Sequence, residues 1–433
     1  MVRPAPPDTL ALGVDFGSSG LRLALMDAEG LAIRGCERAL AYGRPFSDPE
    51  GWRLGLVALV GSLPRELRCR VGAISLDGTS GTLLLCRPDG SALAEALPYD
   101  KACPEQAGRL QALVPEGTSA ASASSSLARA LRLINQHQGG PFLLRHQADW
   151  LMGWLLGHWR WGEEGNNLRL GWDLAGGRWL GTLLDQPWSA ALPEVVPSGS
   201  RLGSLNPLAA TALGLPPSCQ VVAGTTDANA AVLAAGLASG DGLTVLGTTL
   251  VLKQFVDRPI QAPGVSAHRL DQRWLVGGAS NSGGGVLRQF FSDQQLAELS
   301  RQIDPSRPSG LQLQPLPGRG ERFPVDDPDR QPVLGPRPVS DALFLQGLLE
   351  GMAQIEAEGW QRLQALGAPA IGRVITLGGG ARNPQWRRLR QQALGVPVIN
   401  RPGLSSALGS ARLACRGLGP EDGGDLLPLP PEP

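Results

Sequence analysis

The stretch LALGVDFGSSGLRLALMDAEG, residues 10–30, reads as an apolar strand carrying Asp15 near its end, a turn of small residues, and a second apolar strand. Reversing the chain needs only two residues, such as Asn-Gly. Here Gly17, Ser18, Ser19 and Gly20 fill the turn. A turn without bulky side chains exposes its backbone N–H groups, and consecutive N–H groups form an anion-binding concavity. The serine hydroxyls add donors. Alone, the stretch reads as a plain turn or as a phosphate turn; in the second case Asp15 sits where a hard cation bridges phosphates.

The same grammar returns further along. QVVAGTTDANAAVLAAGLASGDGLTVLGTTLVLKQF, residues 220–255, is read as a strand (220–223), a short loop (224–226) and an alanine-rich helix (227–238). A strand, a Gly247-Thr248-Thr249 turn and another strand follow. The chain thus reads as a weak two-fold repeat, with copies starting near residues 10 and 219 and GLPPS (214–218) as the boundary. Lobes 10–218 and 219–418 match ordinary domain sizes. Residues 1–9 and 419–433, rich in proline and glycine, read as flexible tails. A third signature, RVITLGGGARNPQWRRLRQQALGVPVI at 373–399, is a strand, a turn of Gly378, Gly379 and Gly380, and a helix opened by Asn383 as N-cap with Pro384 after it. Between the first hairpin and the repeat, Trp52, Leu56, Leu59, Val60 and Leu63 form a helical stripe. VGAISLDGTSGTLLLCRPDGS (71–91) then reads as strand, loop, strand.

Composition narrows the classes. The 433 residues, 42% hydrophobic, carry 39 basic and 39 acidic side chains, so no basic excess favours nucleic acid. Neither lysine, Lys101 or Lys253, sits in a G-x-x-x-x-G-K-[ST] loop. The six cysteines contain no C-x-x-C pair, and the four histidines have no ligand spacing. The most apolar window, 225–247, is broken by Asp227, Asp241 and glycines, which excludes a membrane span of about 20 apolar residues. A cytoplasmic protein without membrane or nucleic-acid partners is expected, as a monomer or homodimer.

Taken together, GVDFGSSGLR, DGTSGTLLLCRPDG, GTTDANAAVLAAG, LGTTLVLK, GGASNSGGGVLRQFF and TLGGGARNPQWRRLR resemble the FGGY family of carbohydrate kinases along residues 12 to about 390. The resemblance implies an α/β fold of two ribonuclease-H-like lobes of the actin/hexokinase type with an interlobe cleft, ATP and Mg2+ as cofactors, and a small sugar as partner. It implies that Gly17, Ser18 and Ser19 form one phosphate loop and Gly247, Thr248 and Thr249 the other. Asp15 would organise magnesium. Gly378, Gly379, Gly380 and Asn383 would border the adenosine, making the second lobe the nucleotide-binding one. Asp227 falls where the family places its catalytic base; read locally, it is equally an N-cap of the alanine-rich helix.

Many xylulose kinases carry Met-His-Gly after the first helix and strand; here the place reads SLDGTSGT, residues 75–82. That loop, with ADWLMGWLLG and EGNNLRLGWD, resembles a cyanobacterial and plant xylulose kinase-like subgroup that acts on D-ribulose. The resemblance implies a D-ribulose kinase making D-ribulose 5-phosphate, with Asp77, Thr79, Ser80 and Asp227 on the sugar and Asn166, Asn167 and Asp173 shaping its pocket. The alternatives are a kinase of D-xylulose or another polyol, a non-catalytic binding protein on the same scaffold, and a hydrolytic ATPase. SGGGVL (282–287) has one glycine more than is common in the family, and LSSALGSARLA (404–414) lacks the acidic residue often found ahead of it. The first is expected at most to line the cleft, and no role is assigned to the second.

Overall fold

A computed structural model describes residues 8–137 and 139–419. Most of the two expected tails, residues 1–7 and 420–433, lie outside the described residues. The chain divides into two compact units. Among the described residues, the first comprises 8–137, 139–234, Arg269–Gln272 and 405–419; the second comprises Ala235–His268 and Arg273–Leu404.

The first unit is built on a six-stranded sheet: β1 (Leu10–Gly17), β2 (Gly20–Met26), β3 (Arg38–Leu40), β4 (Val71–Gly78), β5 (Arg201–Ser204) and β6 (Gln220–Thr226), in the order β5-β6-β4-β1-β2-β3. β1 and β2 form the antiparallel hairpin expected from residues 10–30, with Gly17 opposite Gly20. β4 runs parallel to both β1 and β6. Near-continuous apolar runs such as LALGV suit strands buried on both faces. Helix α1 (Pro49–Gly61) covers one face, and the stripe read from sequence is its buried side, with Trp52, Leu56, Leu59 and Val60 at most 1% exposed.

The second unit repeats the plan with β7 (Asp241–Leu246), β8 (Leu250–Val256), β9 (Val265–Leu270), β10 (Arg273–Ser280), β11 (Arg373–Leu377) and β12 (Val398–Asn400), ordered β9-β10-β8-β7-β11-β12. β7 and β8 are the antiparallel hairpin; β7, β11 and β12 run parallel.

Matching the two sheets strand by strand corrects the expected boundary. The second copy starts at β7, near residue 241, and β6 is the last parallel strand of the first copy. The turn read at 224–226 is strand instead, with a register irregularity between Val222 and Thr225. Gly224 explains it: a Cβ there would lie 1.6 Å from the Leu76 carbonyl oxygen, so only glycine permits this approach of β6 to β4. Helix α2 (Asp227–Ala235) is shorter than expected because Gly236 stops it at a left-handed φ of 60°. All six cysteines are unpaired thiols. Among the described residues, no helix is long and apolar enough to cross a membrane.

Candidate active site

In open α/β sheets ligands collect beyond the carboxyl ends of parallel strands. In the first unit three such ends lie side by side. The β1–β4 register sets Asp15 against Asp77, and the β4–β6 register sets Asp77 against Thr225 and Gly78 against Thr226. Asp227 is the next residue. Carboxylates that are 15, 77 and 227 in the chain thus become neighbours through parallel pairing alone.

Their charges act on one another. Asp77 is fully buried; burial pushes its carboxyl well above the usual range, and the Asp15 and Asp227 charges push the same way. Asp227 is partly exposed, yet burial raises its carboxyl to about 6, against the lowering pull of backbone N–H groups of Ala228 and Ser80. Thr226 Oγ1, rather than Asp227, accepts the Asn229 N–H at the start of α2. The capping role read for Asp227 therefore falls to its neighbour. Among the described residues, the Asp227 carboxylate takes the adjacent Ala228 N–H, at 2.8 Å, and the Ser80 backbone.

Asp15, 4% exposed, is paired with Arg22 at 3.1 Å across the hairpin. Ser18 and Ser19 are exposed, and the Gly17 carbonyl accepts from the Tyr42 hydroxyl at 3.0 Å. Tyr42 is one of the site residues that sequence reading missed. Burial, then the Asp15 charge, raises its phenol.

The loop 77–80 divides. Asp77 Oδ2 accepts from Ser410 Oγ at 2.6 Å, and Thr79 Oγ1 is engaged by Thr82 Oγ1 at 2.6 Å and Gln147 Oε1 at 3.0 Å. Thr79 thus has its partners inside the unit, whereas Asp77 Oδ1 has no hydrogen-bond partner among the described residues. Ser80 is partly exposed beside Asp227. Ser410 lies on α3 (Ser406–Cys415), the late helix to which sequence reading gave no role. Gly409 lets it in: a Cβ there would meet the Ala230 carbonyl oxygen of α2 at 1.8 Å. Asn167, 0% exposed, donates to the Glu163 carbonyl and Asp173 accepts the Gly176 N–H, both within the unit, whereas Asn166, 2% exposed, is bonded through its backbone N–H and its amide nitrogen has no partner among the described residues.

In the second unit, the Gly247–Thr249 turn and Gly378 sit at adjacent ends of the parallel strands β7 and β11. Thr248 is exposed. The turn's carbonyls accept from the loop that follows β10: Gly284 N–H to Gly247 O at 2.9 Å and Gly285 N–H to Thr248 O at 2.9 Å. A Cβ on Gly283 would fall 2.7 Å from Thr248 O, and one on Gly284 would fall 2.8 Å from Gly247 O. The unusual run of glycines in SGGGVL thus serves to brace the second turn. Of the triple glycine, a Cβ on Gly378 would strike Leu246 O at 2.5 Å and one on Gly380 would strike Trp386, whereas Gly379 is exposed with open space around it. Asn383 caps the helix Pro384–Leu394, accepting the Gln385 and Trp386 N–H groups, and donates to Ser300 Oγ at 2.8 Å.

Among the described residues, no three His, Cys, Asp or Glu side chains converge as a complete metal-binding set. Asp15, near the end of β1, fits the lesser demand of magnesium, which takes one or two carboxylates and fills its shell from water and phosphates.

Residues 242–418 match the C-terminal domain of the FGGY family of carbohydrate kinases. A xylulose kinase of Escherichia coli K12 is 25% identical over 97% of this chain and 92% of its own, and one from Klebsiella pneumoniae is 26% identical over 93% and 89%. Among solved structures, a "xyloylose kinase" from Brucella ovis superposes with a TM-score of 0.79 at 21% identity, covering 94% of this chain and 90% of that one. A glycerol kinase of Plasmodium falciparum with ADP gives 0.79 at 15% identity, over 95% and 90%. The fold is that of the actin/hexokinase-like kinases, as the sequence implied.

Proposed function

We propose that this chain, whose residues 242–418 match the C-terminal domain of the FGGY family of carbohydrate kinases, transfers the γ-phosphoryl group of ATP to a pentulose, D-ribulose, giving D-ribulose 5-phosphate. The observation that carries the reading is Asp227: a carboxylate at the end of a central parallel strand, released from capping by Thr226 and poised near neutrality. With its carboxyl raised to about 6, roughly nine-tenths of Asp227 is ionised at pH 7. It accepts the proton of the attacking sugar hydroxyl as general base. The Ser80 N–H orients Asp227, and the Ser80 side chain is the group of the 77–80 loop left to meet the sugar. Asp77 and Thr79 shape that loop from inside. Arg22 holds Asp15 in place.

ATP with Mg2+, when bound, supplies the phosphoryl group and the cation that offsets its charge. Asp15 would hold the cation. The Gly17–Ser19 and Gly247–Thr249 turns would hold phosphates, and Gly379 would approach the adenosine. Gly378, Gly380 and Asn383 shape that ground from behind. Much of the catalysis of phosphoryl transfer is positioning and electrostatic stabilisation, which makes the rigidity of such turns part of the chemistry. Gly284→Val drives a side chain into the Gly247 carbonyl. It is expected to raise KM for ATP roughly tenfold, about 1.4 kcal/mol, with KM for the sugar unmoved; an unchanged ATP KM removes the bracing role.

D-xylulose is the second reading, favoured by the names of the relatives. The test is a coupled ADP-release assay with Mg-ATP and D-ribulose, D-xylulose, L-ribulose, glycerol, ribitol or no sugar. Stimulation by D-ribulose above all others is expected. Preference for D-xylulose transfers the same chemistry to that sugar. ADP release at the full rate without sugar overturns the kinase in favour of an ATPase.

A further inference from the structure

We propose that Glu163 is a positioning residue for Asp227, acting through the Thr225 and Asn229 side chains that flank it in the chain. The proposal rests on the reading of Asp227 as the base.

Glu163 lies in a short strand, Trp161–Glu163, packed behind the β6–α2 junction, and is 0% exposed. Thr225 Oγ1 donates to Glu163 Oε1 at 3.4 Å, and Asn229 Nδ2 donates to Thr225 Oγ1 at 3.4 Å. Thr225 stands two residues before Asp227 and Asn229 two after it, so one relay clamps the junction from both sides. These contacts are long, but the convergence has independent support. A Cβ on Gly165 would lie 3.0 and 3.2 Å from the Glu163 oxygens and 3.3 Å from Asn229 Nδ2. Gly165 therefore leaves the space in which the two side chains meet.

The acid is itself held firmly. Glu163 Oε2 accepts the Asn166 N–H at 2.8 Å, and the Glu163 N–H donates to Asp149 Oδ1 at 3.0 Å. Asp149 in turn takes Asn167 Nδ2 at 3.1 Å and faces His146 Nδ1 at 3.5 Å. A small cavity of about 10 Å³, lined among others by Glu163, Asp149, Asn166 and Thr225, abuts this cluster. It has room for one water, and the Asn166 amide nitrogen beside it has no protein partner among the described residues.

The charged groups facing Glu163 are Glu164 and Asp149, and both charges raise its carboxyl further after burial has done so. Both are acids, so neither offsets a charge on Glu163. Glu163 is therefore held by hydrogen-bond donors rather than by a counterion. This is the chemistry that Thr225 and Asn166 supply, and glutamine is its isosteric mimic.

The test compares Glu163→Ala, Glu163→Gln and Thr225→Val with Asp227→Asn in the Mg-ATP assay with D-ribulose. In Glu163→Ala, kcat is expected to fall roughly 10- to 100-fold with KM for ATP unchanged, the scale of a misplaced catalytic group. The acid limb of the kcat–pH profile should also leave its midpoint near 6. Glu163→Gln should restore both, and Thr225→Val should reproduce the loss; these two decide the matter if the alanine variant does not fold. A Glu163→Ala enzyme with lowered melting temperature but unchanged kcat and acid limb overturns the proposal, as does a glutamine variant as impaired as alanine. If Asp227→Asn itself turns over normally, it is the base assignment that fails, and this inference with it.

Discussion

Asp227→Asn is expected to lower kcat by about 10²- to 10⁴-fold, the usual contribution of a positioned general base, while ATP affinity measured by calorimetry stays within about twofold. Asparagine keeps the size and the contact with the Ala228 N–H but cannot take a proton. The wild-type rate should fall about tenfold per pH unit below about 6, where Asp227 becomes protonated. Stability should move the other way. The folded carboxyl titrates at about 6 and an unfolded aspartate near 3.9. Between those values the folded state binds more protons, so ionisation costs stability as pH rises and the cost is complete above about 6. The uncharged amide of the variant escapes that cost. At pH 8 the variant should therefore be more stable, by on the order of 1 kcal/mol once solvent screening at this partly exposed site is allowed for. Near-normal turnover, or a loss of stability at pH 8 with turnover retained, excludes Asp227 as the base.

The second large effect lies in the second unit. Glu356 and Arg390, at 0% and 1% side-chain exposure, form an ion pair inside the protein. Glu356 comes from the long helix Asp341–Ala365 and Arg390 from the helix that Asn383 caps. Glu356 Oε1 also accepts from Thr244 of β7 at 2.5 Å, and Arg390 Nη1 donates to Thr376 of β11 at 2.8 Å. One buried cluster thus ties two helices to the two strands that end in the Gly247–Thr249 turn and Gly378. Glu356→Ala strands the guanidinium without its counter-charge. The expected cost is about 3–5 kcal/mol, seen as a melting temperature lower by roughly 10 °C. The paired change Glu356→Leu with Arg390→Met removes both charges together and should recover most of the loss, a coupling that a double-mutant cycle measures. A single variant within about 1 kcal/mol of wild type would show that the cluster contributes little.

Much of this was legible in the chain itself. The period-2 strands, the buried stripe of α1, the two turns of small residues and Asp15 before the first of them are local properties. They appear where the residues say they should, because backbone sterics and side-chain spacing act over a few positions. The Asn383–Pro384 helix start is of the same kind. The expected boundary at 218 was not: QVVAGTT reads as the opening of a new copy, yet its strand pairs with β4, and pairing is a long-range choice. The loop DGTSGT was equally ambiguous. Any of its polar residues could face a ligand in sequence, and only the fold shows Asp77 turned to Ser410 and Thr79 to Gln147.

The sequence by itself determined most of the secondary elements, the duplicated strand–turn–strand grammar, the two turns of small residues and the family resemblance. The tertiary structure decided which carboxylates stand together, which of them are buried, and which glycines are required by close packing. The reason is physical. Propensity and periodicity are short-range, whereas strand register, burial and the desolvation that raises Asp227 and Asp77 depend on residues far away along the chain.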